Sequence, residues 1–294
     1  MEFANLRAFV QVARSGSFSQ AAGVLFITQP AVSKRVAGLE TELNCRLFDR
    51  IGRQIVLTEA GRQLLPRAEQ IIEEITDIGR ELSKLSGEVG GTLAMGTSHH
   101  IGLHRLPPFL RGYADNYPAV TLDIRFMGSE KACLAVESGE LELGVVTLPL
   151  QPSRNLLTQQ VWHDPLCFIV GEEHPLAGRA NIGIEELIQH PAVLPTLGTY
   201  TRTLLENRLE AEGYKINCSL STDYLETLKM LASIGLGWAL LPETLVTPGL
   251  VRLNVEEIRL ERALGLVTHR QRTLSNAAQA MQQLILDSGE KATA

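Results

Sequence analysis

Gln29, Pro30, Ser33 and Lys34 are spaced to share one side of a helix that opens at Thr28, and each can touch the edge of a base pair. A glutamine amide both donates to and accepts from the N6/N7 edge of adenine, a lysine reaches guanine O6/N7, and a proline ring packs on a thymine methyl. Ser33 and Ala37 are small enough to let such a helix approach closely. Arg35 and the capped start of the helix suit phosphate, which fixes register without reading sequence. Arg53, beside Gly52 at the tip of an expected hairpin, has the reach to enter a narrow minor groove. A second group is rich in hydroxyls: Thr97, Ser98, His99 and His100 after one β-like run, Thr147 after another, and Thr199, Tyr200 and Thr201 before a helix. Loops at strand C-termini and helix N-termini present free N–H groups, so this set fits a small carboxylate or other anion. Each of these Ser/Thr residues is equally explained as a helix cap without a ligand.

Other chemistries lack their parts. No G-x-S-x-G, H-E-x-x-H, phosphate-binding loop or dinucleotide-type glycine run is present, so no catalytic residue is assigned and the chain is not expected to be an enzyme. His100 and His104 are spaced i, i+4, but no nearby cysteine or paired carboxylate completes a metal shell, and no metal or cofactor is expected. The four cysteines, Cys45, Cys133, Cys167 and Cys218, are far apart and match neither a zinc pattern nor a disulfide framework; buried, reduced thiols are the expectation.

The elements that must carry the first group follow from periodicity. Leu6, Phe9, Val10 and Ala13 make an amphipathic stripe that Gly16 interrupts. Ser17 with Gln20 opens a second helix through Ala21, Ala22 and Leu25. Thr28 caps a third, with Pro30 in its first turn and Val32, Val36, Leu39 and Leu43 facing inward. Leu47–Arg50 and Gln54–Leu57 flank a turn, giving a two-stranded wing. This is the order of a winged helix-turn-helix, and a three-helix interaction module is the plainer alternative. Glu59–Ser86 then reads as one helix of 28 residues, a rod of roughly 42 Å at 1.5 Å per residue. Leu64, Ala68, Ile71, Ile75, Ile78, Leu82 and Leu85 alternate by four and three, the seam of a coiled coil, with Pro66 expected to kink its start.

Beyond Gly87, Gly90 and Gly91, β-like runs alternate with helical patterns. LAMGT precedes a helix over 100–117, VTLDIRF one over 130–138, and LGVV and LCFIV follow; then come helices over 184–188, 201–212, 224–234 and 275–287, interleaved with AVLP, INCSLS, WALLP and LGLVTH. Such alternation argues for parallel sheets with helices on both faces.

The stretch FVQVARSGSFSQAAGVLFITQPAVSKRVAGLETELNCRLFDRIGRQIVLTEAGRQLL resembles the N-terminal signature of LysR-type transcriptional regulators, nearly unbroken from Leu6 to Leu65. The resemblance implies that Gln29, Pro30, Ser33 and Lys34 lie in the major groove of double-stranded DNA. It also implies that Thr28, Arg50 and Arg53 touch the backbone or minor groove. LPPFLRGYADNYPAVTLDI, SGELELGVV, EEHPLAG and LASIGLGWALLPE resemble the effector-binding domain of the same family, which looks like a two-lobed periplasmic binding protein. The implied fold class is α/β, with an α-rich winged helix-turn-helix in front. The implied domains are a DNA-binding head (1–58), a linker and dimerisation helix (59–87) and an effector-binding body (88–294). Lobe I of that body takes 88–161 and 267–294, and lobe II takes 162–266. In the family the loops matching 97–100, 147 and 199–201 contact the effector, the linker helix pairs two subunits, dimers pair into tetramers, and the assembly meets RNA polymerase at a roughly palindromic promoter site.

Bulk numbers agree with a soluble cytoplasmic protein of at least two units: 294 residues, 45 % hydrophobic, 20 % charged. No apolar run long enough for a membrane span occurs, and the N-terminus does not read as a signal peptide. The net charge of −6 is unevenly shared, because seven Lys/Arg against four acids give residues 1–58 a charge of +3 and leave −9 on the remainder. Two other binding classes stay open at this point. A nucleoid-type DNA-binding protein explains the head and leaves the body idle; a solute-binding receptor explains the body and leaves the head idle.

Overall fold

The computed structural model describes residues 1–51, 54–256 and 258–289; the side chains of 50, 51, 54, 73, 80–86, 288 and 289 also fall outside the description. The chain divides into two compact units, Met1–Leu85 and Ser86–Ala294.

The first unit begins with α1 (Phe3–Ser15), α2 (Phe18–Leu25) and α3 (Gln29–Leu43). Gly16 takes φ 63° to end α1, and the Ser17 hydroxyl accepts from the Gln20 amide to start α2. Thr28 does the same for α3 through the Ala31 amide at 3.4 Å. Phe9, Val12, Ala21, Val32 and Leu39 are fully buried between the three helices. Leu43, expected to face inward, is 39 % exposed. The core ends one turn earlier: Glu40 turns its carboxylate back to the Leu47 and Phe48 amides at 2.7 and 3.3 Å, and Asn44 reverses the chain at φ 50°. The wing pairs β1 (Phe48–Ile51) with β2 (Gln54–Leu57) antiparallel, Phe48 opposite Leu57 and Ile51 opposite Gln54.

The connecting helix α4 runs over Glu59–Ser86, capped by the Thr58 hydroxyl on the Gly61 amide at 3.0 Å. Pro66 sits inside it. The expected seam is divided. Ala68 is fully buried, and Leu64 and Ile71 pack with it against Leu6, Phe9, Leu39 and Leu47 of the head. Ile75 and Ile78 are 43 % and 52 % exposed, and Leu82 and Leu85 lie among the side chains outside the description. Gly61 permits this docking, because a Cβ there would sit 2.3 Å from the Leu47 carbonyl oxygen.

The second unit runs β3 (Gly91–Thr97), α5 (His99–His104), α6 (Pro107–Asn116), β4 (Val120–Phe126), α7 (Ser129–Glu137), β5 (Leu143–Thr147) and β6 (Leu156–Gly171). It continues α8 (Ile184–Leu187), β7 (Ala192–Leu194), α9 (Tyr200–Glu210), β8 (Cys218–Ser221), α10 (Leu225–Ser233), β9 (Ala239–Pro242), β10 (Leu250–Leu253), β11 (Leu260–His269) and α11 (Asn276–Gly289). One expected helix is two, because Pro107 and Pro108 end α5 and fit the first turn of α6. The sheets are mixed rather than parallel. β3 pairs parallel with β4 and β5, and β7 with β8, whereas β11 with β5, β11 with β6, and β6 with β9 and β10 are antiparallel. The departure lies in two long strands of 16 and 10 residues, only part of which reads as strand from apolar runs.

Those two strands tie two cores together. Leu93, Tyr113, Trp162, Leu264, Leu266 and Met281 belong to one core; Phe168, Leu205, Leu209, Trp238, Leu240 and Leu260 belong to another. The changeover falls at Asp164 on β6 and Arg262 on β11, which are register partners. Trp162, Leu264 and Leu266, which boundaries at 161/162 and 266/267 put in lobe II, pack with the first core. Just past the changeover, the β11 register shifts between Leu264 and Gly265, where a Cβ would lie 2.1 Å from the Gln159 carbonyl oxygen.

Candidate functional site

On the first unit, the buried side of α3 (Val32, Val36, Leu39) fixes what the other side shows. Thr28, Gln29, Pro30 and Lys34 are exposed, and Ser33 and Arg35 are half-buried. The Gln29 amide donates to the Ser33 hydroxyl at 3.1 Å, which holds the long side chain along the helix surface. No acid is present in the first turn of α3, so nothing opposes a phosphate at the Thr28 cap. Of Arg50 only the backbone, in β1, is described; Arg53 lies outside the described residues.

On the second unit, a cavity of about 70 Å³ is lined by Ser98, His99 and His100 at the start of α5 and by Gly128, Ser129 and Glu130 at the start of α7. Thr147, Pro195, Thr199, Thr201, Asp223, Leu225 and Arg262 complete its wall. Six of the eight expected ligand residues therefore converge. Thr97 is fully buried and not in this wall, its hydroxyl donating to the Val145 carbonyl at 2.9 Å. Tyr200 lines an adjoining cavity of about 250 Å³ that shares Thr147 and Arg262 with the first. Burial raises the Tyr200 phenol above its usual range, and its hydrogen bond with the Cys133 thiol raises it further. The same burial pushes the Cys133 thiol up to about 11. Of the other cysteines Cys167 is buried, whereas Cys45 and Cys218 are only half-buried, short of the burial expected for all four.

Several hydroxyls here do structural work. Ser98 and Thr199 accept from the Ile101 and Arg202 amides as caps, and Ser129 accepts from the Thr147 amide at 3.1 Å. Contacts also cross between the two cores. The Glu130 carboxylate accepts from the Tyr200 amide, Arg262 Nη1 donates to the Thr201 hydroxyl at 3.0 Å, and His104 Nε2 lies 3.3 Å from Glu226 Oε1. The His99 ring meets the Tyr224 ring edge-on, centroids 5.0 Å apart.

A fully buried carboxylate and a nearly buried guanidinium lie at the changeover. Asp164 is fully buried and takes two nitrogens of Arg262, Nε at 3.0 Å. Its other oxygen is 3.9 Å from His100 Nε2 and 3.7 Å from Arg105 Nη2, too far for hydrogen bonds. Burial pushes the Asp164 carboxyl up, but His100 and Arg262 outweigh it and hold the pKa below the ordinary value. Both ring nitrogens of His100, itself 8 % exposed, lack a hydrogen-bond partner. Among the described residues, no group of three or more His, Cys, Asp or Glu is placed to hold a metal ion. No described helix is long and apolar enough to cross a membrane.

Reading the sequence missed Ser129, Glu130, Asp164, Asp223 and Arg262. Asp164 and Arg262 carry a usable signal, as charges that lead directly into apolar strand runs (PLCFIV and ALGLV).

Comparison with known proteins agrees with both units. Residues 3–62 match the bacterial regulatory helix-turn-helix protein, lysR family, and residues 86–290 match the LysR substrate binding domain. An uncharacterized HTH-type transcriptional regulator in the ibpB-leuC intergenic region of Azotobacter vinelandii is 59 % identical over 108 residues, 37 % of this chain and 75 % of that one. The regulator YeiE of Escherichia coli K12 is 30 % identical over 277 residues, 92 % of either chain. The crystal structure of full-length CbnR complexed with its target DNA is similar at TM-score 0.64 and 18 % identity, covering 98 % of this chain and all of that one. With a family match over most of its length, the chain belongs to the LysR family: it is a LysR-type transcriptional regulator with a helix-turn-helix DNA-binding domain and an effector-binding domain.

Proposed function

We propose that this regulator works in the cytoplasm as a homodimer that pairs again into a tetramer, and that each α3 lays Gln29, Pro30, Ser33 and Lys34 along base edges. The carrying observation is the division of α3, which buries Val32, Val36 and Leu39 inside the head and leaves Gln29, Pro30 and Lys34 in solvent. Thr28 and Arg35 then meet phosphates, and Arg50 and Arg53 of the wing meet the backbone or minor groove. A two-fold dimer calls for a roughly palindromic operator. The exposed Ile75 and Ile78 of α4 supply an apolar strip for pairing.

The cleft takes a small effector bearing an anionic group, met by Ser98, His99, His100, Thr147, Thr199 and Thr201, with Thr97 and Tyr200 supporting the wall from behind. Binding shifts the balance between lobe arrangements, which changes the placement of the reading heads, the bend of the DNA and the contact with RNA polymerase.

Replacing Gln29 by Ala is expected to cost about 1–3 kcal/mol at one base pair per half-site and to relax preference there. Operator binding measured by gel shift against single-base variants reads this directly, and unchanged selectivity would remove the docking. Thr201→Ala is expected to abolish the transcriptional response to inducing metabolite while DNA affinity stays intact. A variant that still responds would remove the cleft.

A further inference from the structure

The charges around the 70 Å³ cavity are not those of a simple anion site. Arg262 is the one guanidinium in its wall, and Asp164 already takes two of its nitrogens. Glu130 and Asp223 face the same space, and no described Lys, Arg or His forms an ion pair with either. Glu130 accepts only from the Tyr200 amide, and Asp223 only from the amide and hydroxyl of Thr196. Among the described residues, the cavity therefore carries two carboxylates that no cation pairs with. A ligand that was purely anionic would be repelled by both.

The same wall also holds unused donors. His100, more than nine-tenths buried, has two ring nitrogens without hydrogen-bond partners, and even a neutral imidazole has one N–H to donate. Gly128 precedes α7 as its N-cap and has no side chain to cap it, so the first-turn amides at Ser129 and Glu130 have no side-chain acceptor there. Buried donors left without partners cost free energy that a ligand oxygen recovers. At about 10–15 Å³ per water-sized group, the space holds roughly five to seven non-hydrogen atoms.

Resting on the cleft reading above, we infer that the effector is a small zwitterion of the amino-acid type. Its carboxylate meets His100 and the opening turn of α7, and its ammonium lies between Glu130 and Asp223. Glu130 has a further part in this. Its carboxylate, from the first lobe, accepts from the leading amide of α9 in the second. An ammonium group that draws Glu130 to itself frees that amide, so the ligand replaces a contact between lobes with contacts of its own.

The test is a thermal-shift and calorimetric titration of the full-length protein with matched probes: glycine, L-alanine and L-serine as zwitterions, propionate and L-lactate as carboxylates without an amine, and ethanolamine as an amine without a carboxylate. The expected result is stabilisation by at least one zwitterion and by neither single-charge set. Glu130→Gln and Asp223→Asn should each weaken the bound zwitterion about tenfold or more, with the ligand-free melting temperature showing that each variant is folded. Equal binding of propionate or lactate would overturn the zwitterion, as would a Glu130→Gln, Asp223→Asn protein that binds as well as wild type, or a panel in which nothing binds. Loss of propionate binding in Thr201→Ala would keep the cleft while sinking the zwitterion; binding that ignores Thr201→Ala would sink the cleft itself.

Discussion

Asp164 and Arg262 show how a single pair can fix the geometry of a binding domain. They face each other on the two strands that cross between cores, and both are almost completely buried. Removing one partner leaves the other charged and desolvated, a loss typically of about 3–5 kcal/mol. Asp164→Asn is therefore expected to lower the unfolding free energy of the full-length protein by that order in urea denaturation. Because the folded-state pKa lies below the ordinary value of 3.8, the carboxylate's contribution is complete above that pH and drains away as pH falls through the lower folded value. The gap in stability between wild type and Asp164→Asn should thus hold constant from pH 7 to about 5 and narrow in stronger acid. At this scale the head was open to sequence reading, since groove chemistry and helix spacing are local. The cleft was only half open: Glu130 and Asp223 act through partners 70 and 27 residues away, and no local pattern marks that.

Elements were legible wherever one periodicity governed them. The three head helices, their Ser17 and Thr28 caps and the span of α4 follow directly from apolar spacing and capping chemistry. The fate of the α4 seam did not, because a 4–3 alternation suits a partner helix and an intramolecular groove equally. The fold uses Leu64, Ala68 and Ile71 for the head's own core and leaves Ile75 and Ile78 in solvent. Sedimentation should separate these halves. A double Ile75→Glu, Ile78→Glu variant is expected to shift the protein toward monomer with its head folded, whereas Ala68→Glu should unfold the head by burying an unpaired charge. The mixed sheet escaped prediction for a comparable reason, as the exposed Leu157–Gln160 half of β6 lacks an apolar run. Gly265, inside β11, marks the register shift that lets that half pair. Adding one methyl drives it against the Gln159 carbonyl, so Gly265→Ala should cost about 1–3 kcal/mol and loosen effector response before DNA binding.

For the whole molecule, charge and function divide along the same line. The positive head meets a polyanion, so operator affinity should fall steeply with salt, and Arg35→Ala should reduce that slope by about one. Everything regulatory presupposes that the exposed side of α3 reads sequence. Selection of random duplexes by the full-length protein, wild type beside Gln29→Ala, tests this most directly. Wild type should enrich an inverted repeat with half-sites about one helical turn, or a multiple of it, apart. The variant should keep that spacing and lose preference at one symmetric pair of positions. Recovery of the same motif at the same information content from both proteins would contradict the account.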